Sequence, residues 1–255
     1  MLTVILTRHG ATPRSDPEQH LGQGIDIGLS DAGRSAARAL GARLEGVAFD
    51  RIVSSPLRRA LETAGTVAPG LRMETEPRIA EMDYGEWEGL TYEEIYARDL
   101  ELRRRWEDDP AGTPCPGGES GDDVAARARS FLADAIARGP HDGRILIVAH
   151  ATLNRILLCV ALGVPVRDYR RRFRQDPTNL TVLRFAGHIE DGALLLVAND
   201  TSHLGAAAAP WQEKRRQGAG TGVSGTGSGA DVAGAGSGTS GGGTGTAGPT
   251  PAASP

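Results

Sequence analysis

The chain has 255 residues, with 28 Lys or Arg against 32 Asp or Glu, so its formal net charge at pH 7 is −4. This balance argues against non-specific binding to nucleic acid, and no apolar run approaches the ~20 residues that a membrane span needs. The two cysteines lack metal-type or redox-type neighbours, and no secretory leader pattern is visible. We therefore expect a cytoplasmic protein with free thiols, and neither nucleic acid nor a membrane among its partners.

Composition divides the chain into two parts. From Gln217 to Pro255 the residues are almost all Gly, Ser, Thr, Ala and Pro, with Asp231 as the single charge. Such a segment has too little apolar surface to offset the entropy of ordering it. The sequence predicts a folded domain over residues 1–204 and a flexible tail over residues 205–255.

The first predicted strand is the apolar run from Leu2 to Thr7, which leads into Arg8, His9 and Gly10. A buried parallel strand carries the residues that follow it to the carboxyl edge of a sheet, where α/β proteins bind ligands. A lone histidine after a strand is more often structural than catalytic. This stretch therefore predicts a site only if other residues join it.

The next segments alternate between loop, helix and strand. Pro13 to Gly28 is polar and irregular, and its composition suits a loop over a site. Ser30 is a predicted N-cap for a helix that ends near Gly46. Arg51 to Ser55 is a predicted buried strand because of its β-branched pair.

A second helix, Leu57 to Ala64, places Arg58 and Arg59 in its first turn, where the helix dipole disfavours cations. An anion bound at the same N-terminus would compensate both the dipole and the two charges. The other interpretation is a pair of solvated arginines whose aliphatic stems pack on the surface. The sequence alone leaves both interpretations open.

The segment Leu71 to Ile79 is a predicted edge strand or extended loop that leads into Glu81 to Gly89, where four acidic residues lie among aromatics and glycines. Acidic residues beside aromatics can supply a desolvated carboxyl group for proton transfer, or they can form a solvated loop. Thr91 to Trp106 is a predicted charged helix.

The opening pattern recurs near residue 150. Arg144 to Ala149 is an apolar strand that ends at His150, and a helix is predicted from Leu153 to Leu162, whose N-terminal N–H groups could bind an anion. Two last strands, Leu180 to Phe185 and Ala193 to Ala198, predict a hairpin at the sheet edge. Alternating buried strands and helices predict one α/β domain with a mostly parallel sheet.

Together these pieces resemble the histidine phosphatase superfamily, which has the phosphoglycerate-mutase-like fold. The resemblance spans Leu2 to Leu204 and implies a three-layer α/β/α sandwich. The matched segments are Arg8-His9-Gly10 with Thr12, Ser54-Ser55-Pro56-Leu57-Arg58-Arg59-Ala60 with Thr63-Ala64, Glu81 with Tyr84-Gly85 and Trp87-Glu88-Gly89, Pro116-Gly117-Gly118-Glu119-Ser120, and Val148-Ala149-His150.

The resemblance implies a role for each matched site residue. His9 would be the nucleophile that forms a phosphohistidine, and Glu81 would be the proton donor. A neutral imidazole can attack phosphorus, and two guanidinium groups can neutralise the phosphoryl oxygens, so the chemistry calls for neither a metal nor a cofactor. The residues implied to bind the phosphate are Arg8, His9, Arg59, His150 and Ala151.

The resemblance implies a metal-independent phosphomonoesterase of the histidine acid phosphatase type that hydrolyses a small phosphorylated metabolite. The alternatives are a phosphoglycerate mutase-type phosphotransferase and a non-catalytic phosphate-binding module. Pro13 to Pro17 lacks the aromatic, Asn-rich segment of the mutases, which favours a phosphatase. The departures from the family pattern at Ala11, Ser15 and Ala151 remove no catalytic group and bear on substrate selection. A homo-oligomer is compatible with the sequence.

Overall fold

The apolar runs predicted as strands form one sheet in a computed structural model whose described residues are 1–205. Apart from residue 205, the predicted tail lies outside the described residues, and its flexibility stays a prediction. The strands within this part of the chain are β1 (Leu2–Arg8), β2 (Arg51–Ser54), β3 (Met73–Thr75), β4 (Gly143–Ala149), β5 (Leu180–Phe185) and β6 (Ala193–Asp200).

The strand order is β3-β2-β4-β1-β5-β6. The four strands β3, β2, β4 and β1 are mutually parallel, whereas β5 runs antiparallel to β1 and pairs with β6 as the predicted hairpin. Parallel neighbours need a crossover, and helices supply it here. The prediction of a mostly parallel sheet is confirmed, with the antiparallel hairpin at one edge.

The helices of the described residues are α1 (Asp31–Arg43), α2 (Arg58–Val67), α3 (Tyr92–Asp108), α4 (Gly121–Arg138), α5 (Ala151–Leu162) and α6 (Tyr169–Arg172).

Helices cover both faces of the sheet, because successive apolar residues of a strand point to opposite faces. On one face Ile5 and Val148 pack with α1 and α2, and on the other Leu6 and Ile147 pack with α4 and α5. The predicted three-layer sandwich is confirmed.

The ends of the elements mostly follow the predicted signals. Ser30 caps α1 by accepting a hydrogen bond from Gly33 N at 3.1 Å, although α1 ends at Arg43, before the predicted Gly46. The segment predicted as an edge strand or loop pairs with β2 only over Met73–Thr75. Pro77 then starts a short 3₁₀ turn, because it cannot donate to a sheet.

Two predictions from composition can be compared with the structure. The thiols of Cys115 and Cys159 are free and buried, as expected. Among the helices of residues 1–205, none combines the length and the apolarity that crossing a bilayer requires.

Candidate active site

Three neighbouring strands end at one edge of the sheet, and each delivers a polar side chain there. β4 lies between β2 and β1, and Ser55, His150 and His9 are the residues that follow these strands. The backbone N–H of His9 donates to Ala149 O at 2.9 Å, and that of Ser55 donates to Val148 O at 3.1 Å. As a result the His9 and His150 ring centroids are 5.2 Å apart.

The His9 ring is held in one tautomer. Its Nδ1 lies 2.7 Å from Gly10 O, and because a carbonyl oxygen can only accept, Nδ1 carries the proton. Nε2 therefore keeps the lone pair. Burial, together with the nearby Arg8 and Arg59 guanidinium groups, holds the pKa of His9 well below its usual value. The imidazole is thus neutral and nucleophilic at neutral pH.

Gly10 is required for space. A Cβ at this position would lie 2.7 Å from Gly33 O at the start of α1. Gly10 N also donates to Thr63 Oγ1 of α2 at 3.0 Å, so the turn after β1 is packed against both helices of this face. The φ of Gly10 is not positive, so the close approach of Gly33, and not backbone freedom, is what requires glycine here.

Arg59 points into the site, whereas its neighbour Arg58 does not. The Arg59 side chain is buried, and its two Nη atoms donate to Ile25 O at 3.1 Å and Gly22 O at 2.7 Å. Its Nε is buried and has no hydrogen-bond partner among residues 1–205. Arg58 is exposed and pairs with Glu62 at 2.7 Å. Arg58 thus fits the solvated interpretation, whereas Arg59 is buried at the site, and anion binding by Arg59 stays a prediction.

Arg8 is fixed by partners from distant parts of the chain. Its Nη1 donates to Gln175 O at 3.0 Å, and its Nη2 donates to Glu18 Oε1 at 3.2 Å. Arg8 Nε is buried and lacks a hydrogen-bond partner within the described residues. Each of the two site arginines therefore has one buried N–H group without a partner among residues 1–205.

Carboxylates of the chain itself lie at two helix N-termini at this edge. Asp26 Oδ1 accepts from Arg58 N at the start of α2 at 2.6 Å. The Glu81 carboxyl accepts from Thr152 N at 3.2 Å and Leu153 N at 3.0 Å in the first turn of α5. The helix N-termini that were predicted to bind an external anion are thus largely satisfied from within the chain, because a carboxylate complements a helix N-terminus.

Glu81 is the desolvated carboxyl group in the acidic segment. It is 6% exposed, whereas the side chain of Glu86, five residues later, is 60% exposed. Its Oε1 accepts a third backbone hydrogen bond, from Met82 N at 2.9 Å. One member of the segment is therefore a candidate for proton transfer, and Glu86 is a solvated residue.

Arg127 of α4 holds the backbone that carries Glu81. Its Nη1 donates to Ala80 O at 2.7 Å, its Nη2 donates to Glu81 O at 3.0 Å, and its Nε pairs with Glu119 at 2.8 Å. Sequence reasoning missed this arginine, because nothing in a helix pattern indicates which loop the helix will contact.

Ser55 forms a hydrogen bond with His150. Its Oγ accepts from Leu57 N at 3.3 Å and lies 2.7 Å from His150 Nε2. The other ring nitrogen, Nδ1, is buried without a partner among residues 1–205. Burial, together with Arg59 and His9, holds the pKa of His150 well below its usual value. Ser55 was not among the predicted site residues, although its place after β2 matches that of His9 after β1.

One pocket contains five of the six predicted site residues: Arg8, His9, Arg59, Glu81 and Ala151 line it. His150 is fully buried beside His9 and does not line the pocket wall. The Ala151 N–H has no acceptor within residues 1–205 and remains available. We call Arg8, His9, Arg59 and Glu81 the inner half of the pocket.

The predicted loop Pro13 to Gly28 does cover the site, since Arg14, Glu18 and His20 line the same pocket. Tyr84, Tyr92 and Arg155 complete this side. Among residues 1–205, no group of three or more His, Cys, Asp or Glu side chains is arranged to hold a metal ion. We call Arg14, Glu18, His20, Tyr84, Tyr92 and Arg155 the outer half of the pocket.

Comparison with known families and proteins agrees with this geometry. A family model described as the histidine phosphatase superfamily (branch 1) matches residues 4–200. A bifunctional protein of Mycobacterium tuberculosis is 37% identical over 206 residues, which cover 79% of this chain and 54% of that protein. The chain thus spans about half the length of this relative.

Two further relatives match over nearly their whole length. Phosphoserine phosphatase 1 of Hydrogenobacter thermophilus is 31% identical, with 80% of this chain and 95% of that protein covered. The solved structure of a mycobacterial glucosyl-3-phosphoglycerate phosphatase in complex with VO3 is 33% identical and superposes with a TM-score of 0.70, covering 77% of this chain and 98% of the other. Both relatives are phosphatases.

Proposed function

Because this chain belongs to the histidine phosphatase superfamily (branch 1), we propose that it is a phosphomonoesterase that acts through a phosphohistidine on His9. The substrate is a small phosphorylated metabolite, and the reaction needs no metal. Phosphoserine and glucosyl-3-phosphoglycerate, on which the named relatives act, are the first compounds to test.

In the first step His9 Nε2 attacks phosphorus, the N–P bond forms, and the bond from phosphorus to the ester oxygen breaks. Glu81 gives its proton to the leaving oxygen, so that an alcohol departs. Arg8 and Arg59 donate to the phosphoryl oxygens, and the N–H of Ala151 adds a further donor. His150 packs beside the nucleophile, with its ring centroid 5.2 Å from that of His9.

In the second step water attacks the phosphohistidine. The Glu81 carboxylate takes the proton of the water, the P–N bond breaks, and inorganic phosphate leaves with His9 Nε2 regaining its lone pair. The hydrogen bond from His9 Nδ1 to Gly10 O stays in place throughout and stabilises the positive charge that the ring carries while it is phosphorylated.

The observation that carries the proposal is the hydrogen bond from His9 Nδ1 to Gly10 O at 2.7 Å. It leaves the nucleophilic nitrogen unprotonated in a pocket that also holds two arginines with unpartnered buried N–H groups and a buried carboxyl group. A structural histidine in the core would have both ring nitrogens hydrogen-bonded to the protein or to ordered water.

The test is release of inorganic phosphate from phosphomonoesters in the presence of EDTA, with His9→Ala beside the wild type. We expect the variant to fall to background, since loss of a covalent nucleophile typically costs about 10⁶-fold. His141→Ala is the matched control, because that side chain is 87% exposed. Phosphate release by His9→Ala at the wild-type rate would contradict the proposal.

The mutase and binding-module alternatives give different outcomes in a labelling experiment. A probable phosphoglycerate mutase of Erwinia tasmaniensis is 30% identical over 207 residues, so transfer between hydroxyl groups is the second candidate. With ³²P-labelled ester, a phosphatase gives acid-labile, base-stable label on the protein and free phosphate. A mutase gives the same label with most phosphate returned to an alcohol, and a binding module gives no covalent label.

A further inference from the structure

His20 is held in place by backbone hydrogen bonds and by two aromatic rings. It is 7% exposed. Its N–H donates to Leu90 O at 3.0 Å, and its carbonyl accepts from Gly89 N at 2.7 Å. The Tyr84 and Tyr92 rings lie against its imidazole, with centroids at 4.8 Å and 4.9 Å. The ring therefore has a defined position in an otherwise polar and irregular loop.

The contacts of the His20 ring define which nitrogen carries the proton and which is left for a ligand. Nδ1 lies 3.3 Å from Leu90 O, and because that oxygen can only accept, Nδ1 carries the proton. Nε2 keeps a lone pair, accepts no hydrogen bond from any residue in the range 1–205, and is not sealed from solvent. Since His20 lines the pocket, an acceptor is presented there.

The ring is uncharged at neutral pH. Burial lowers the pKa of His20 to about 4, and the positive charges of Arg103 and Arg170 act in the same direction, against smaller opposing effects of the Leu90 carbonyl and Glu18. An uncharged ring with Nδ1 committed to a carbonyl can offer only an acceptor at Nε2. It cannot serve as a further cation for the phosphate.

We propose that His20 Nε2 is a specificity-determining acceptor that binds a hydroxyl or ammonium group on the leaving alcohol of the substrate. The inference rests on the proposed phosphatase activity, in which the phosphoryl group occupies the inner half and the alcohol extends into the outer half. An alcohol without such a donor displaces water from Nε2 and leaves it unpaired, which disfavours that substrate.

The test compares glycerol 3-phosphate with propyl phosphate, which have the same carbon chain and differ in two hydroxyl groups. We expect the wild type to favour glycerol 3-phosphate in kcat/KM by about 10-fold or more, which is the effect of leaving one buried acceptor unpaired. His20→Phe keeps an aromatic ring at this position but removes the acceptor nitrogen. The ratio of kcat/KM for glycerol 3-phosphate to that for propyl phosphate is therefore expected to fall toward one. His20→Gln, whose amide oxygen can accept, is expected to retain part of it.

A second pair of substrates, 2-aminoethyl phosphate and ethyl phosphate, tests the same acceptor with an ammonium donor by comparing their kcat/KM values. His141→Phe is the matched control, since its side chain is 87% exposed, and it should keep the wild-type preference. Melting temperatures check folding, and His20→Leu replaces His20→Phe if the phenyl ring unfolds the loop.

The outcomes separate this inference from the function on which it rests. Equal kcat/KM for both members of each pair in the wild type, or an unchanged preference in His20→Phe, would overturn the inference and leave the phosphatase activity intact. Failure of the wild type to hydrolyse any phosphomonoester or to form labelled phosphohistidine would overturn the proposed function itself.

Discussion

The two halves of the pocket are built differently. In the inner half the charged side chains are bound to backbone groups: Arg59 donates to two carbonyls, and Glu81 accepts from three N–H groups. In the outer half the side chains of Arg14 and Arg155 make no hydrogen bond to residues 1–205, and among the six side chains His20 alone bonds to a backbone group in this part of the chain. The inner half thus suits a group that every phosphomonoester shares, and the outer half suits alcohols that vary.

The largest effect is expected from Glu81→Gln in the inner half, which removes the transferable proton and keeps the shape of the side chain. We expect kcat/KM for an alkyl phosphate to fall by about 10²–10⁴-fold, the usual size of general acid catalysis. The fall should be smaller for p-nitrophenyl phosphate, because p-nitrophenolate leaves without a proton. Glu86→Gln, on the same segment but exposed, is the control. Equal losses with both substrates would argue against a proton-donor role.

The burial of His20 can be tested by measuring the free energy of unfolding as a function of pH. Its folded pKa is about 4, below the ~6.5 of an unfolded chain, so below pH 6.5 the unfolded state takes up a proton that the folded state does not. Above pH 6.5 His20 is neutral in both states and its titration does not affect stability. As the pH falls from 6.5 toward 4, this residue lowers the free energy of unfolding by up to about 3 kcal/mol. Urea unfolding at pH 7.5, 5.5 and 4.5 should show a shallower decline in His20→Gln, and an identical decline would contradict the shifted pKa.

Ser55→Ala tests whether the hydrogen bond between Ser55 and His150 matters to the inner half. Without the hydroxyl, His150 Nε2 loses the partner that lies 2.7 Å away and has no other among residues 1–205. We expect about a 5-fold lower kcat/KM, in line with the loss of one hydrogen bond of ~1 kcal/mol. Ser54→Ala is the matched control, because Ser54 is also fully buried, but within residues 1–205 its hydroxyl bonds only to the Ser55 carbonyl. A larger effect of Ser54→Ala would reject this role.

The smallest effect is expected from Arg14→Ala in the outer half. An exposed cation contributes at most about 1 kcal/mol, so KM should rise by no more than ~5-fold. The rise should be confined to substrates with a second negative charge, and added salt should reduce it. Comparing 3-phosphoglycerate with glycerol 3-phosphate tests this, and equal effects on both would show that Arg14 does not contact the leaving group.

The same contrast explains how far the sequence could predict the site. The ends of the strands could be predicted from apolar periodicity. Because α/β proteins bind ligands at the carboxyl ends of their parallel strands, His9 and His150 could then be predicted to lie at the same edge of the sheet. The roles of Arg59 and Glu81 came from the resemblance, and the structure places both side chains in the pocket. Arg127 could not be predicted, because its role depends on the three-dimensional packing of α4 against the Glu81 loop.

The position of β4 between β1 and β2 also bears on how the protein is made. β1 and β2 leave the ribosome well before β4 and have no hydrogen bonds to each other, so the central ladder of the sheet closes only when the strand ending at Ala149 inserts between them. Such late, non-local pairing is associated with slow folding. During synthesis Arg8 and His9 are therefore present for well over a hundred residues before the strand that completes their site. Fragments that stop before Ala149 are expected to have no catalytic activity.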